Sequence, residues 1–175
     1  IEACLVGSEM CIRDRFKKYL KIGVYTLDMS RKIKNIIAIT VFLICIGLIN
    51  VAGQNIEIEI RGMNAFTFIL ITAVLLQIIF FIPSFLLKTE KYYDIVGSLT
   101  YIITISIAYF SVENKTMIDS IIYFYVMVWA LRLGIYLFRR VRNDGKDVRF
   151  EKAKRHFFWF LQYWMGQALW VSLTA

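Results

Sequence analysis

The chain has 175 residues, of which 59% are apolar and 19% charged, with a formal net charge of +8. An ordinary globular domain has about 45–50% apolar and about 25% charged residues, so a soluble protein of this length could not bury so many Ile, Leu and Phe side chains. One Pro and nine Gly also argue against a disordered or loop-rich secreted chain. The composition therefore predicts an all-α, polytopic membrane protein.

The placement of the positive charges says more than their sum. They cluster between long neutral stretches, as they do in membrane proteins, and this favours anchoring at the cytoplasmic surface over nucleic-acid binding. We therefore expect the lipid bilayer as a partner and no nucleic acid, while the oligomeric state is left open.

The amino-terminal residues 1–15, IEACLVGSEMCIRDR, have neither helical nor strand periodicity and resemble translated sequencing-adapter read-through. We interpret them as a non-native artefact and leave them out of the fold prediction. Residues 16–35 then form a basic cytoplasmic lead-in, within which Met29 is a candidate true start. With Cys4 and Cys11 set aside, the single thiol of Cys45 gives neither a disulfide framework nor a metal site.

Five candidate transmembrane spans follow, each close to the roughly 20 apolar residues that a bilayer requires. They cover residues 36–52, 63–87, 93–112, 117–138 and 157–175. We expect 36–175 to form a single transmembrane domain that is truncated at its carboxyl end. The first span could instead be a signal peptide, but we favour a retained helix because further spans follow directly. Pro83 is expected to bend or stop the second span near its end.

Lysine and arginine alternate strongly between the two sides of the predicted spans. With residues 1–15 left out, sixteen lie before the first span, in the second-to-third connection or in the 139–155 loop, whereas only Arg61 and Lys115 lie on the other side. Because cytoplasmic loops carry an excess of these residues, we predict that the amino terminus and the 139–155 loop face the cytoplasm.

The fourth span carries a stripe of polar and aromatic side chains. Its residues follow 4-3-4-3 spacing and so share one helix face; they are Tyr125, Trp129, Arg132, Tyr136 and Arg139. Arg132 lies about 10 Å below the end of the span, where a charge is costly and usually faces a bundle interior or a wet cavity. We favour a functional cavity over the alternative, which is packing with Arg132 extended toward the headgroups.

The third span places Asp94, Ser98 and Tyr101 on one face at positions i, i+4 and i+7. Asp94 either benefits from the helix amino terminus or pairs with Arg132 or a substrate group, and the sequence leaves both readings open.

Three further polar residues have simpler interpretations. Gln77, in the middle of the second span, is expected to form an interhelical hydrogen bond, and Asp119 is expected to cap the fourth helix. His156 has no second His or Cys at ligand spacing, so no metal site is predicted.

The loop RRVRNDGKDVRFEKAKRH, residues 139–156, allows two functions. It could anchor the protein to anionic lipid, or its guanidiniums and the backbone at Gly145 could clamp phosphates. Composition does not separate the two.

Three segments carry a resemblance to a known family; they are KTEKYYDIVGSLTYI, WALRLGIYLFRRVRNDGKDVRF and FFWFLQYWMGQALWVSL. In this order they resemble the steroid 5-alpha reductase-like membrane proteins, and most closely their mostly bacterial branch, DUF 1295. The resemblance covers roughly residues 63–175. It implies a helical membrane fold in a bacterial inner membrane, with an NADPH site facing the cytoplasm.

The resemblance also implies an activity and a set of site residues. Reductases of this kind transfer a hydride to a conjugated carbon–carbon double bond of a steroid or other lipid. The positions that match the cofactor side, together with Tyr136 of the stripe, are Arg132, Arg139, Arg140, Asp147 and Arg149. Tyr93 and Asp94 fall in the other matching segment and are the catalytic candidates.

Two departures leave rival functions open. The family's tyrosine acid has no secure counterpart, although Trp129 lies near its position, and the carboxyl-terminal signature rich in His, Asn, Tyr and Trp is absent. The alternatives are a membrane methyltransferase of the isoprenylcysteine type and a non-catalytic lipid-binding protein.

Overall fold

The computed structural model describes residues 29–55, 57–144 and 150–174, so the interpretations of residues 1–28 lie outside the described residues. The described chain contains five α-helices, which confirms the all-α prediction. They are α1 Met29–Ala52, α2 Ala65–Leu86, α3 Tyr93–Ser111, α4 Met117–Asp144 and α5 Phe157–Thr174. A two-residue hairpin, β1 Glu59–Ile60 with β2 Met63–Asn64, links α1 to α2, and a 3-10 helix, Ala153–Arg155, precedes α5.

Helices α1 to α4 are each long and apolar enough to cross a membrane. Helix α5, with 18 residues, also packs in the bundle but is not among these four. The architecture is that of an integral, polytopic helical membrane protein.

Two helices extend well beyond the spans predicted for them. Helix α1 already includes Met29, seven residues before the predicted start at residue 36, and α4 continues to Asp144 rather than ending at residue 138. In both cases the added residues are rich in Lys and Arg. The apolar stretch marks what can lie in hydrocarbon, whereas the helix continues for as long as its backbone hydrogen bonds can be made.

Capping and a proline set the two ends of α2. The Asn64 side chain accepts hydrogen bonds from the amides of Phe66 at 2.9 Å and Thr67 at 3.3 Å. Pro83 lies inside the helix, which ends three residues later at Leu86. Pro83 therefore stops the helix within about one turn, as predicted.

The antiparallel helices alternate between two ends of the bundle. We call the basic end the one where α1, α3 and α5 begin and where α2 and α4 finish. An aromatic core fills this end between α2, α3 and α5, with Phe81, Phe150, Phe160 and Trp164 almost completely buried. This core fixes the residues of the basic end relative to one another.

Helices α3 and α4 pack with a regular antiparallel register. From the basic end outward, three polar residues of α3 meet α4 in turn: Asp94 pairs with Arg140, Ser98 lies against Gly134, and the Tyr101 ring meets Trp129 edge-on at 5.1 Å. The predicted face of Asp94, Ser98 and Tyr101 is thus the face that contacts α4.

Candidate functional site

An ion pair joins the first turn of α3 to the end of α4. The Arg140 guanidinium lies 3.6 Å from an Asp94 carboxylate oxygen, with 40% and 11% of the two side chains exposed. The sequence raised Arg132 as a partner for Asp94, but Arg132 lies eight residues earlier, about 12 Å further from the basic end. The antiparallel register therefore pairs Asp94 with Arg140 instead.

A second ion pair joins the α2–α3 turn to the 3-10 helix. Lys154 Nζ donates to Glu90 Oε2 at 2.7 Å, and the Glu90 side chain is only 4% exposed. Sequence reasoning missed this pair, because a single Glu between Lys88 and Lys91 resembles an ordinary solvated turn. The buried pair brings the start of α5 against the start of α3.

Tyr93 faces α5, although its neighbour Asp94 faces α4. Its hydroxyl donates to the Tyr163 carbonyl at 3.0 Å, and its ring packs against Phe150 at 4.8 Å and Trp164 at 5.3 Å. The two predicted catalytic candidates thus connect α3 to two different helices.

Tyr93 also lines a cavity of about 480 Å³ between α1, α3 and α5, which we call the amide pocket. Its other lining residues are Phe42, Trp159, Gln162, Tyr163, Gly166, Gln167 and Trp170. Aromatic rings and carboxamides together suit a flat, largely apolar ligand that also carries hydrogen-bonding groups. Sequence reasoning missed this pocket, since α5 offered only an uncharged stretch.

One polar atom of the amide pocket has no partner among the described residues. Gln167 Oε1 is buried and accepts no hydrogen bond there. The Gln167 amide lies against Gly97, where an added Cβ would be 2.1 Å from Gln167 Nε2. A buried acceptor without a donor costs roughly 1–3 kcal/mol, and Gln167 carries this cost in the structure.

The predicted stripe on α4 lies largely on the outside of the described bundle. Four of its residues are exposed, namely Tyr125, Arg132, Tyr136 and Arg139. The Trp129 ring packs against the Tyr101 ring. Residues of α4 alone line a shallow cavity of about 280 Å³ around Arg132. A functional cavity at Arg132 stays a prediction.

The remaining cofactor candidates are dispersed. Arg139 lines a groove between α3 and α4 together with Arg142, whereas Tyr136 lines the shallow cavity at Arg132. Asp147 and Arg149 lie outside the described residues. Of the four cofactor candidates that the structure describes, Arg140 is the one that contacts a catalytic candidate.

Two minor predictions are confirmed. Gln77 Nε2 donates to Thr100 Oγ1 at 3.0 Å and so connects α2 to α3. Asp119 accepts hydrogen bonds from the amide and the hydroxyl of Thr116, both at 2.8 Å, and caps α4.

Apolar helices and a polar, ion-paired end define this chain as a polytopic membrane protein with a candidate site at the basic end. Residues 80–175, more than half of the chain, match the family model described as protein of unknown function (DUF1295). The chain therefore belongs to the DUF1295 family. No curated protein and no solved structure was found to match it. The matched region includes both ion pairs and most of the amide pocket.

Proposed function

We propose that the protein is an NADPH-dependent membrane reductase that reduces a conjugated carbon–carbon double bond of a steroid or other lipid. The resemblance to steroid 5-alpha reductase-like proteins suggests the reaction. One observation carries the proposal: Tyr93 and Asp94, adjacent in sequence, connect the amide pocket to the arginine-rich end of α4. A lipid site and a site for an anionic cofactor would then lie side by side.

The residues at the basic end fit the charge of the cofactor. Arg140 is 40% exposed and presents a planar set of donors that suits phosphate. NADPH, when bound, supplies a hydride. Asp94 holds the Arg140 guanidinium at the first turn of α3, which is a positioning role rather than a chemical one.

The amide pocket would bind the lipid and exclude water from it. Its aromatic walls contact a flat ring system, while the Gln162 and Gln167 carboxamides orient polar substituents. Hydride addition at the β-carbon of an enone places negative charge on the carbonyl oxygen, and a proton must then reach the α-carbon. The Tyr93 hydroxyl, which donates to the Tyr163 carbonyl at rest, is the candidate donor to that oxygen.

A cofactor titration tests the proposal. NADPH should bind the purified protein in detergent, and Arg140→Gln should weaken it by about tenfold or more, because one charge-assisted hydrogen bond is worth roughly 1.5–3 kcal/mol. Arg155→Gln, which removes an exposed charge from the same end, should change the affinity less than twofold. Failure of the wild-type protein to bind NADPH, or binding of S-adenosylmethionine in its place, would contradict the proposal.

Two further variants in the same assay assign roles. Arg132→Lys keeps the charge but loses the bidentate fork, so unchanged affinity would make Arg132 an anchor of α4. Tyr93→Phe should leave NADPH affinity unchanged and lower the rate of enone reduction by at least about 100-fold, as loss of a proton donor does. An unchanged rate would limit Tyr93 to packing.

A further inference from the structure

A second cavity, of about 370 Å³, lies on another face of the bundle, between α3 and α4. We call it the α3/α4 groove. Its walls are aliphatic side chains that the protein leaves partly uncovered, among them Leu99, Leu131 and Ile135. It is separate from the amide pocket, which lies on the α5 side of α3.

Small residues form the floor of the groove. Ala130 is completely buried, and an added Cβ at Gly134 would lie 2.8 Å from Ser98 Cβ. The two backbones therefore approach closely along the floor, while the larger side chains on either side form walls. The result is a channel along the helices instead of a filled interface.

The length of the groove matches one leaflet of a bilayer. From Ala130 to Arg142 the helix advances by twelve residues, or about 18 Å. The hydrocarbon core of a bilayer is about 30 Å thick, so one leaflet contributes about 15 Å. An acyl chain that enters near Arg142 could thus follow the groove through most of its leaflet.

Positive charge is concentrated at the basic end of the groove. Arg139 and Arg142 both line it, and neither forms an ion pair with a carboxylate in the described parts of the chain. The guanidinium between them in sequence, Arg140, is already paired with Asp94. The mouth of an apolar groove thus presents two guanidiniums that suit a phosphate group.

We infer that the α3/α4 groove is a binding site for an anionic phospholipid, with one acyl chain along the groove and the phosphate between Arg139 and Arg142. A neutral lipid would fill the apolar groove but leave both guanidiniums without a partner. Free phosphate would pair with the guanidiniums but leave the apolar groove empty. A second copy of the chain is a poorer fit, because the described carboxylates at this end, Glu90, Asp94 and Glu151, already have partners within the chain. The proposed reductase mechanism uses Arg140 and the amide pocket rather than this groove, and the test of the lipid site needs no cofactor.

The charge of the ligand is tested in vesicles of phosphatidylcholine that contain the protein. Electron spin resonance of chain-labelled phosphatidylglycerol and of chain-labelled phosphatidylcholine measures the fraction of each lipid that is held at the protein surface. At about 0.5 M salt, where general surface attraction is screened, phosphatidylglycerol should be preferred by at least about threefold. Arg139→Gln/Arg142→Gln should remove the preference. Lys91→Gln/Arg155→Gln, which loses two exposed charges from the same end outside the groove, should retain it.

The position of the chain is tested by filling the groove. Leu99→Trp/Ile135→Trp should lower the held phosphatidylglycerol by at least half, whereas Ile79→Trp, on the uncovered face of α2, should not. Should the double glutamine variant fail to fold, Arg139→Lys/Arg142→Lys keeps the charge, and its preference should fall without vanishing.

Three results would overturn the inference. Equal loss of preference in both charge variants would indicate general attraction to the surface. Displacement of the labelled lipid by millimolar inorganic phosphate would indicate a site for the free anion. If the amount of held lipid falls as the density of protein in the vesicle rises, a second copy of the chain occupies the groove.

Discussion

Hydrogen bonding at buried polar residues links α2 to α3 in the middle of the bundle. Gln77 is fully buried and donates to Thr100, whose own hydroxyl donates to the Val96 carbonyl at 2.7 Å. Gln77 Oε1 accepts no hydrogen bond among the described residues. This amide is thus half satisfied, and its stabilising contribution depends on Thr100.

Because the Gln77 amide has a partner for its nitrogen but none for its oxygen among the described residues, we predict different effects for two single variants. Thr100→Val deprives the buried Gln77 amide of its partner and should lower the free energy of unfolding by about 1–3 kcal/mol. Gln77→Leu removes the unsatisfied oxygen together with the hydrogen bond. It should change the free energy of unfolding by less than about 1 kcal/mol, because interhelical hydrogen bonds in membranes average about 0.6 kcal/mol. The double variant should be more stable than Thr100→Val alone. Thermal unfolding in detergent measures all three, and strictly additive losses would contradict the coupling.

At the basic end, the two ion pairs differ in what they can contribute. The Asp94–Arg140 pair is partly exposed, with 3.6 Å between the charged nitrogen and oxygen. Because solvent screens such a pair, it contributes little to stability. The Glu90–Lys154 pair is shorter and its carboxylate is buried, so loss of Lys154 would leave a charge in a poorly solvated place. The first pair is therefore better suited to orienting a side chain, and the second to fixing the turn before α3.

Among the elements, the α3–α4 pair shows how small residues set helix separation. Hydroxyl groups lie between the two helices beyond the groove, with Ser106 and Tyr123 at 3.2 Å and Tyr109 and Ser120 at 3.0 Å. Close approach at Gly134 allows this continuous contact.

A pair of glycine variants tests the role of this contact. Gly134→Ala should destabilise the protein by about 1–3 kcal/mol, because its Cβ would overlap Ser98 and push α3 away from α4. Gly47→Ala on α1, where no atom lies within 4 Å of the added Cβ, should stabilise it by about 0.5–1 kcal/mol through helix propensity alone. Unfolding in detergent, followed by circular dichroism, gives both values. An unchanged or raised stability of Gly134→Ala would show that the interface can relax.

For the whole molecule, the open property is its orientation in the membrane. The described Lys and Arg residues lie mostly at the basic end, and the positive-inside tendency predicts that this end faces the cytoplasm. Both the proposed cofactor site and the inferred lipid site lie at this end. The orientation therefore decides whether these two sites meet the ligands of the cytoplasmic side or those of the other side of the membrane.

Cysteine labelling of intact cells measures the orientation. In a chain whose three cysteines are replaced by serine, a single cysteine at Glu57 or Asn114 should react with an impermeant maleimide added outside. A cysteine at Lys91 or Lys152 should react only after the membrane is opened. The opposite pattern would place the basic end outside and would remove NADPH as a plausible cofactor.

The sequence by itself determined the class of protein, the number of helices and their approximate positions, because apolar length and helical periodicity are local properties of the chain. It also identified the α3 face of Asp94, Ser98 and Tyr101, since spacing alone puts residues on one side of a helix. Only the tertiary structure decided what that face meets: the register between antiparallel helices depends on where small residues such as Gly134 allow close contact. For the same reason the partner of Asp94 is Arg140 rather than Arg132, and the amide pocket, built from three helices distant in sequence, had no sequence pattern to predict it.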